Sequence, residues 1–84
     1  MSFILNDKQY FAFFISALRY RGDNLEAEVT MIDSSGQYFR NVIIPKEEIP
    51  QVNISFMNRL PIFISFDNDR KEPISFLYAH YSKE

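Results

Sequence analysis

Residues 6–22, Asn-Asp-Lys-Gln-Tyr-Phe-Ala-Phe-Phe-Ile-Ser-Ala-Leu-Arg-Tyr-Arg-Gly, decide the fold class, because they can be read as a helix or as a strand. For the helix, Asn6 and Gln9 are spaced as a capping box, and Leu5 and Tyr10 flank it as a hydrophobic staple. Phe11, Phe14, Ile15 and Leu18 make an apolar stripe at helical spacing, and Gly22 stands where a helix can end in a left-handed conformation. For the strand, Gly22-Asp23 is a two-residue hairpin loop. That register sets Tyr20 opposite Leu25, and Arg19 opposite Glu26 as a cross-strand charge pair. The helix is preferred because its signals are independent of one another.

Downstream, Leu25, Ala27, Val29 and Met31 alternate with Glu26, Glu28 and Thr30 as in a half-buried strand. Asp33-Ser34-Ser35-Gly36 is a turn sequence, and Gln37–Ile44 should return as the second strand of a hairpin that Pro45 ends. Around Pro50 and up to Pro61, Ile49, Val52, Phe56 and Leu60 suit one face of a short helix. The triplet Ile-Ser-Phe occurs three times, at residues 54–56, 64–66 and 74–76. The second and third copies fall on two further strands, Ile62–Asp67 and Pro73 to about His80, which should pair. Strand parity then makes Ile64, Phe66, Ile74 and Phe76 core residues, and Phe14 is read as buried with them.

The expected fold is therefore α+β: an N-terminal helix packed on an antiparallel sheet of about four strands in two hairpins. The alternative is an all-β small barrel with residues 10–21 as a strand. With 84 residues the chain should form a single compact domain, residues 1–84. Nine Phe and five Tyr are more rings than so small a core readily hides, so some should lie at a contact surface.

Charge and composition narrow the function. Nine Lys and Arg against eleven Asp and Glu give a net charge of −2, with no polybasic footprint. With no cysteine there is no disulfide or thiolate chemistry, which suits a reducing cytoplasm. The first residues carry no secretory pattern, and the longest apolar run, residues 10–15, falls far short of the ~20 that a membrane helix needs. No membrane association is expected.

No catalytic or metal-binding constellation emerges, and no cofactor is expected. His80 is the single histidine, and zinc sites draw on three or four ligands. Asp67, Asp69 and Glu72 begin like a calcium loop but lack its later Gly and bidentate Glu. Glu26 and Glu28 share a strand face, the common pattern of a charged solvent side. With two glycines there is no phosphate loop. Arg21-Gly22-Asp23 is read as turn chemistry rather than an adhesion motif.

Tyr20, Arg19, Arg21, Tyr38, Arg40, Tyr78 and Tyr81 are the candidate partner-binding residues, since Tyr and Arg dominate interface hot spots. The expected function is a small non-enzymatic protein-interaction module: an accessory, adaptor, inhibitor or immunity-type regulator. Its partner is a protein, or a second copy in a homodimer. The alternative is a small-barrel domain for single-stranded nucleic acid, which would need a basic groove between the rings.

Overall fold

Asn6 and Asp7 both have positive φ, 51° and 64°. A two-residue hairpin loop of the primed type requires this, and Asn and Asp tolerate it. Asn6 is thus a turn residue and not a helix cap, and the chain on either side is extended. The computed structural model describes residues 2–32, 38–67, 69 and 72–79. Their order is β1 (Ser2–Leu5), β2 (Lys8–Arg21), β3 (Asn24–Met31), β4 (Phe39–Ile44), a 3₁₀ turn (Lys46–Glu48), α1 (Ile49–Met57), β5 (Ile62–Phe66) and β6 (Pro73–Tyr78). The expected turn at residues 33–36 lies outside the described residues, as do His80 and Tyr81.

The expected N-terminal helix is therefore corrected to a 14-residue strand. Its pairing with β3 has the register of the strand reading, with Tyr20 opposite Leu25 and Arg19 opposite Glu26. Gly22, with φ 63°, opens the two-residue loop between them. The helical look of the segment has a specific cause. The ladder shifts between Ile15 and Ala17, so Ser16 is the extra residue of a β-bulge. The Ser16 hydroxyl donates to the Glu28 carbonyl across the shift, 3.0 Å away. The inserted residue turns the parity over, so Phe11, Phe13 and Ile15 before it and Leu18 after it all pack against the core. A step of three between Ile15 and Leu18 mimics a helical turn. Phe14, expected in the core, is 45% exposed on the opposite face.

All six strands form one antiparallel sheet, rather than about four strands, in the order β4-β3-β2-β5-β6, with β1 on β2 alongside β3. The sheet is rolled. β4 and β5 are three strand spacings apart, about 14 Å in a flat sheet. Yet the Arg40 guanidinium of β4 lies 4.2 Å from the ring centroid of Phe66 at the end of β5. Inside the roll, Phe13, Leu25, Ala27, Val29, Val42, Ile44, Ile62 and Ile64 form the core, joined by Val52 of α1. On the convex side Phe3 stacks on Tyr10, with centroids 5.5 Å apart, and meets Phe63 edge-on at 5.4 Å. The buried Tyr10 hydroxyl is 2.7 Å from that of Ser75.

Helix α1 begins as the two prolines around it dictate. Pro50 occupies its first turn, where a missing N–H costs nothing. It ends in a Schellman motif: the N–H of Leu60 bonds to the Ser55 carbonyl and that of Arg59 to the Phe56 carbonyl. Arg59 holds the left-handed position, φ 55°, that glycine usually takes. Val52 and Ser55 of the helix are buried, whereas Phe56, expected on the same face as Val52, turns outward.

The two later Ile-Ser-Phe copies pair as expected, Ile64 with Phe76 and Ser65 with Ser75. The core assignment is corrected at one residue. Phe66 pairs with Pro73, so Ile74 is an inserted residue, and it is 54% exposed.

Three substitutions check this arrangement. In urea denaturation Phe13→Ala is expected to cost about 3–5 kcal/mol, the range for emptying a fully buried Phe site. Phe14→Ala should cost under about 1 kcal/mol, as surface changes do. Arg59→Gly should raise stability by about 0.5 kcal/mol, because relief of left-handed strain outweighs the added freedom of the unfolded chain.

A candidate binding mouth at one end of the rolled sheet

The starts of β2, β4 and β6 and the ends of β3 and β5 come together at one end of the roll. There they surround an open cavity of about 710 Å³. Its apolar lining comes from Ile4, Phe11, Met31, Tyr38, Phe66 and Ile74, and its charged lining from Asp7, Lys8, Arg40, Asp67 and Asp69. α1 connects the end of β4 to the start of β5, so it closes the opposite end.

Local bonding shapes the rim. Arg40 lies over the Phe66 ring in a cation–π contact. Phe66 also meets Phe13 edge-on at 5.9 Å, which ties the floor of the mouth to the core. The Asp69 N–H donates to Asp67 Oδ1 at 2.8 Å, and the Asp67 N–H to the Glu72 carbonyl at 2.8 Å. Ile4 is 74% exposed at the tip of the β1–β2 hairpin, and Ile74 stands across the opening.

The candidate residues from sequence do not form one patch. Tyr38 and Arg40 line the mouth. Arg19, Tyr20 and Arg21 are exposed at the far end of β2, up to about 40 Å of extended strand away. The expected charge pair is in register, but its ion pairs are diagonal. Arg19 reaches Glu28 at 3.9 Å, and Arg21 reaches Glu26 Oε1 at 3.6 Å. That Glu26 oxygen is buried and has no hydrogen bond among the described residues, so the ion pair is its compensation.

Tyr78 is half-buried and its hydroxyl donates to Glu48 Oε1 at 2.6 Å, fastening β6 to the 3₁₀ turn. Its ring stacks on Phe76 at 6.5 Å. Tyr81 lies outside the described residues. Ile4, Phe11, Met31 and Ile74 also line the mouth but are not among the binding candidates from sequence. The only local signal for them was an apolar residue beside a turn, which is common and unspecific.

Among the described residues no group of three or more His, Cys, Asp or Glu is placed to hold a metal ion. Among them, too, no helix is long and apolar enough to cross a membrane. Comparison with known protein families, with curated proteins and with solved structures gives no match.

The Tyr78 bond makes stability pH-dependent. Burial, then the hydrogen bond to Glu48 and the negative charge of that carboxylate, push the phenol well above the ordinary tyrosine range. The folded state therefore disfavours the phenolate. The contribution is complete below about pH 10, the unfolded value, and is lost as pH rises beyond it. Urea melts from pH 7 to 11 should show a decline above pH 10 that is shallower in Tyr78→Phe. At pH 7 that substitution should cost about 1–2 kcal/mol.

Proposed function

We propose that this chain is a small, non-enzymatic protein-interaction module, and that the mouth holds a short apolar segment of a protein partner. The observation that carries this reading is the composition of the mouth. Aromatic and aliphatic side chains, two exposed isoleucines among them, line it side by side with charged and polar groups. Its volume lies within the 300–1,000 Å³ or so typical of ligand sites. Aromatic and apolar side chains interleaved with polar groups are common at protein contacts.

The charges favour protein over nucleic acid. Three carboxylates, Asp7, Asp67 and Asp69, stand beside two cations, Lys8 and Arg40. A groove for single strands needs an excess of positive charge along the backbone path. Tyr38 and Arg40 remain the sequence candidates that this function uses. Tyr78 serves the fold, and Arg19, Tyr20 and Arg21 lie too far away to share a ligand with the mouth.

Peptides selected against the chain from a random library would test this by calorimetry. Binding is expected, with Ile4→Asp and Ile74→Asp each weakening it at least about tenfold, a loss of about 1.4 kcal/mol. Tyr20→Ala at the far end should leave it unchanged. Binding that ignores both isoleucines would remove the mouth as the site. Salt-sensitive binding of single-stranded oligonucleotides, with none of peptide, would support the nucleic-acid alternative instead.

A further inference from the structure

Rolling a sheet without closing it leaves edges, and the edges here are not equivalent. β1 is only four residues long. β6 begins at Pro73, which has no N–H to offer, and the ladder beside it is interrupted by the Ile74 insertion. Short length, proline and bulges are the devices that keep edges from pairing with other chains. β4 has none of them. Its register with β3 runs unbroken from Phe39 opposite Thr30 to Ile44 opposite Leu25. Its single charged residue, Arg40, is folded over Phe66. Beside its outer edge is a cavity of about 460 Å³, lined by Asn41, Val42, Ile43 and Pro45 and, across the seam, by Glu72 and Pro73. Among the described residues no strand pairs there.

Backbone alternation identifies which groups face that seam. The Met31 N–H donates to the Tyr38 carbonyl, so Tyr38 points its main-chain groups at β3. In an antiparallel ladder the next residue points them away. Phe39, Asn41 and Ile43 therefore present N–H and C=O to the open edge. The same three residues carry exposed side chains, Phe39 at 56% and Ile43 at 46%. The pattern is symmetric about Asn41: an exposed apolar residue two positions before it and another two positions after.

We propose that β4 pairs antiparallel with β4 of a second copy of this chain, about a two-fold axis at Asn41. In that register Asn41 faces the second copy's Asn41, and each Phe39 lies beside the other copy's Ile43. All three are positions with outward main-chain groups, so about six hydrogen bonds form between the chains. Arg40 faces Val42, and no like charges oppose one another. Each partner offers the same surface, as a two-fold interface demands. The exposed side chains this pairing uses, Phe39, Asn41 and Ile43, are not among those that line the mouth.

Light scattering on the full chain, from about 1 µM to about 1 mM, reads the outcome directly. The mass should rise from 10.0 kDa towards twice that value. Asn41→Pro removes only an outward N–H, which edge strands tolerate, and should hold the mass at that of the monomer. Ile43→Lys should do the same, and carries the test alone if circular dichroism shows that the proline variant does not fold. The chain has no native cysteine. Asn41→Cys should therefore give a disulfide-linked dimer on mild oxidation, because facing Cα atoms in such a pair lie about 5.5 Å apart, within disulfide reach. Glu47→Cys, exposed outside the sheet, should not cross-link.

A monomer at every concentration overturns the proposal, including the case in which β4 takes a strand from a different protein. So does a dimer that survives both substitutions, or cross-linking through position 47 as readily as through position 41. Peptide binding at the mouth is measured on monomeric Ile43→Lys, so the two readings fail or stand separately.

Discussion

The long strand β2 is the constraint on which the rest of the molecule depends. Over 14 residues it pairs with β1 and β3 in succession along one side and with β5 on the other. Among the described residues no other strand touches three partners. A strand that long cannot stay flat in so small a protein, because sheet twist accumulates along it. The bulge at Ser16 resolves this by adding local twist and one residue of offset. Without the offset Leu18 would point outward and Arg19 inward, at the level of Ala27 and Val42. The bulge thus lets one strand serve the mouth end and the α1 end with the same buried face.

This device is what made the first segment hard to read. Its hairpin signals were visible: the Gly22-Asp23 loop and the Tyr20–Leu25 register follow from residue types alone. The competing signal, the apolar stripe, depended on treating Phe14 as part of the same face as Ile15 and Leu18. A bulge converts strand period 2 into a local step of three, which no period-based reading separates from a helical turn. Asn6 misled for a related reason. Asn favours helix caps and left-handed turn positions alike, and only the pairing of Leu5 with Lys8 distinguishes them. Further along, β3 alternated cleanly and was legible. The short helix was bounded by its prolines, since Pro50 fits only a first turn and Pro61 cannot extend one. The mouth was legible in part. Tyr38 and Arg40 are exposed-interface residue types, whereas Ile4 and Ile74 acquire meaning only when the roll brings strand ends together.

The three Ile-Ser-Phe copies show how little three residues dictate. In β5 Ile64 is in the core and Ser65 is buried on the opposite face. In β6 the insertion pushes Ile74 to the rim while Phe76 still packs inward. In α1 the order inverts: Ser55 is buried, and Ile54 and Phe56 turn outward. A helix places neighbours about 100° apart and a strand about 180° apart. The same triplet therefore presents different sides according to the element that holds it.

The distribution of aromatic rings follows from the width of the roll. Its interior is filled mainly by Val29, Val42, Val52, Ile44, Ile62 and Ile64 around a single fully buried ring, Phe13. Such a narrow channel takes β-branched residues side by side, and they also suit the extended backbone. Wider rings fit at its ends or outside it. Phe11 and Phe66 floor the mouth, Phe76 and Tyr78 stack near the helix end, and Phe3, Tyr10 and Phe63 gather on the convex face. Phe14, Phe39, Phe56, Tyr20 and Tyr38 are left exposed, beyond what the core can absorb. Scattered exposed rings of this kind are ordinary on a protein surface, and here they mark the point at which a narrow interior has no further room.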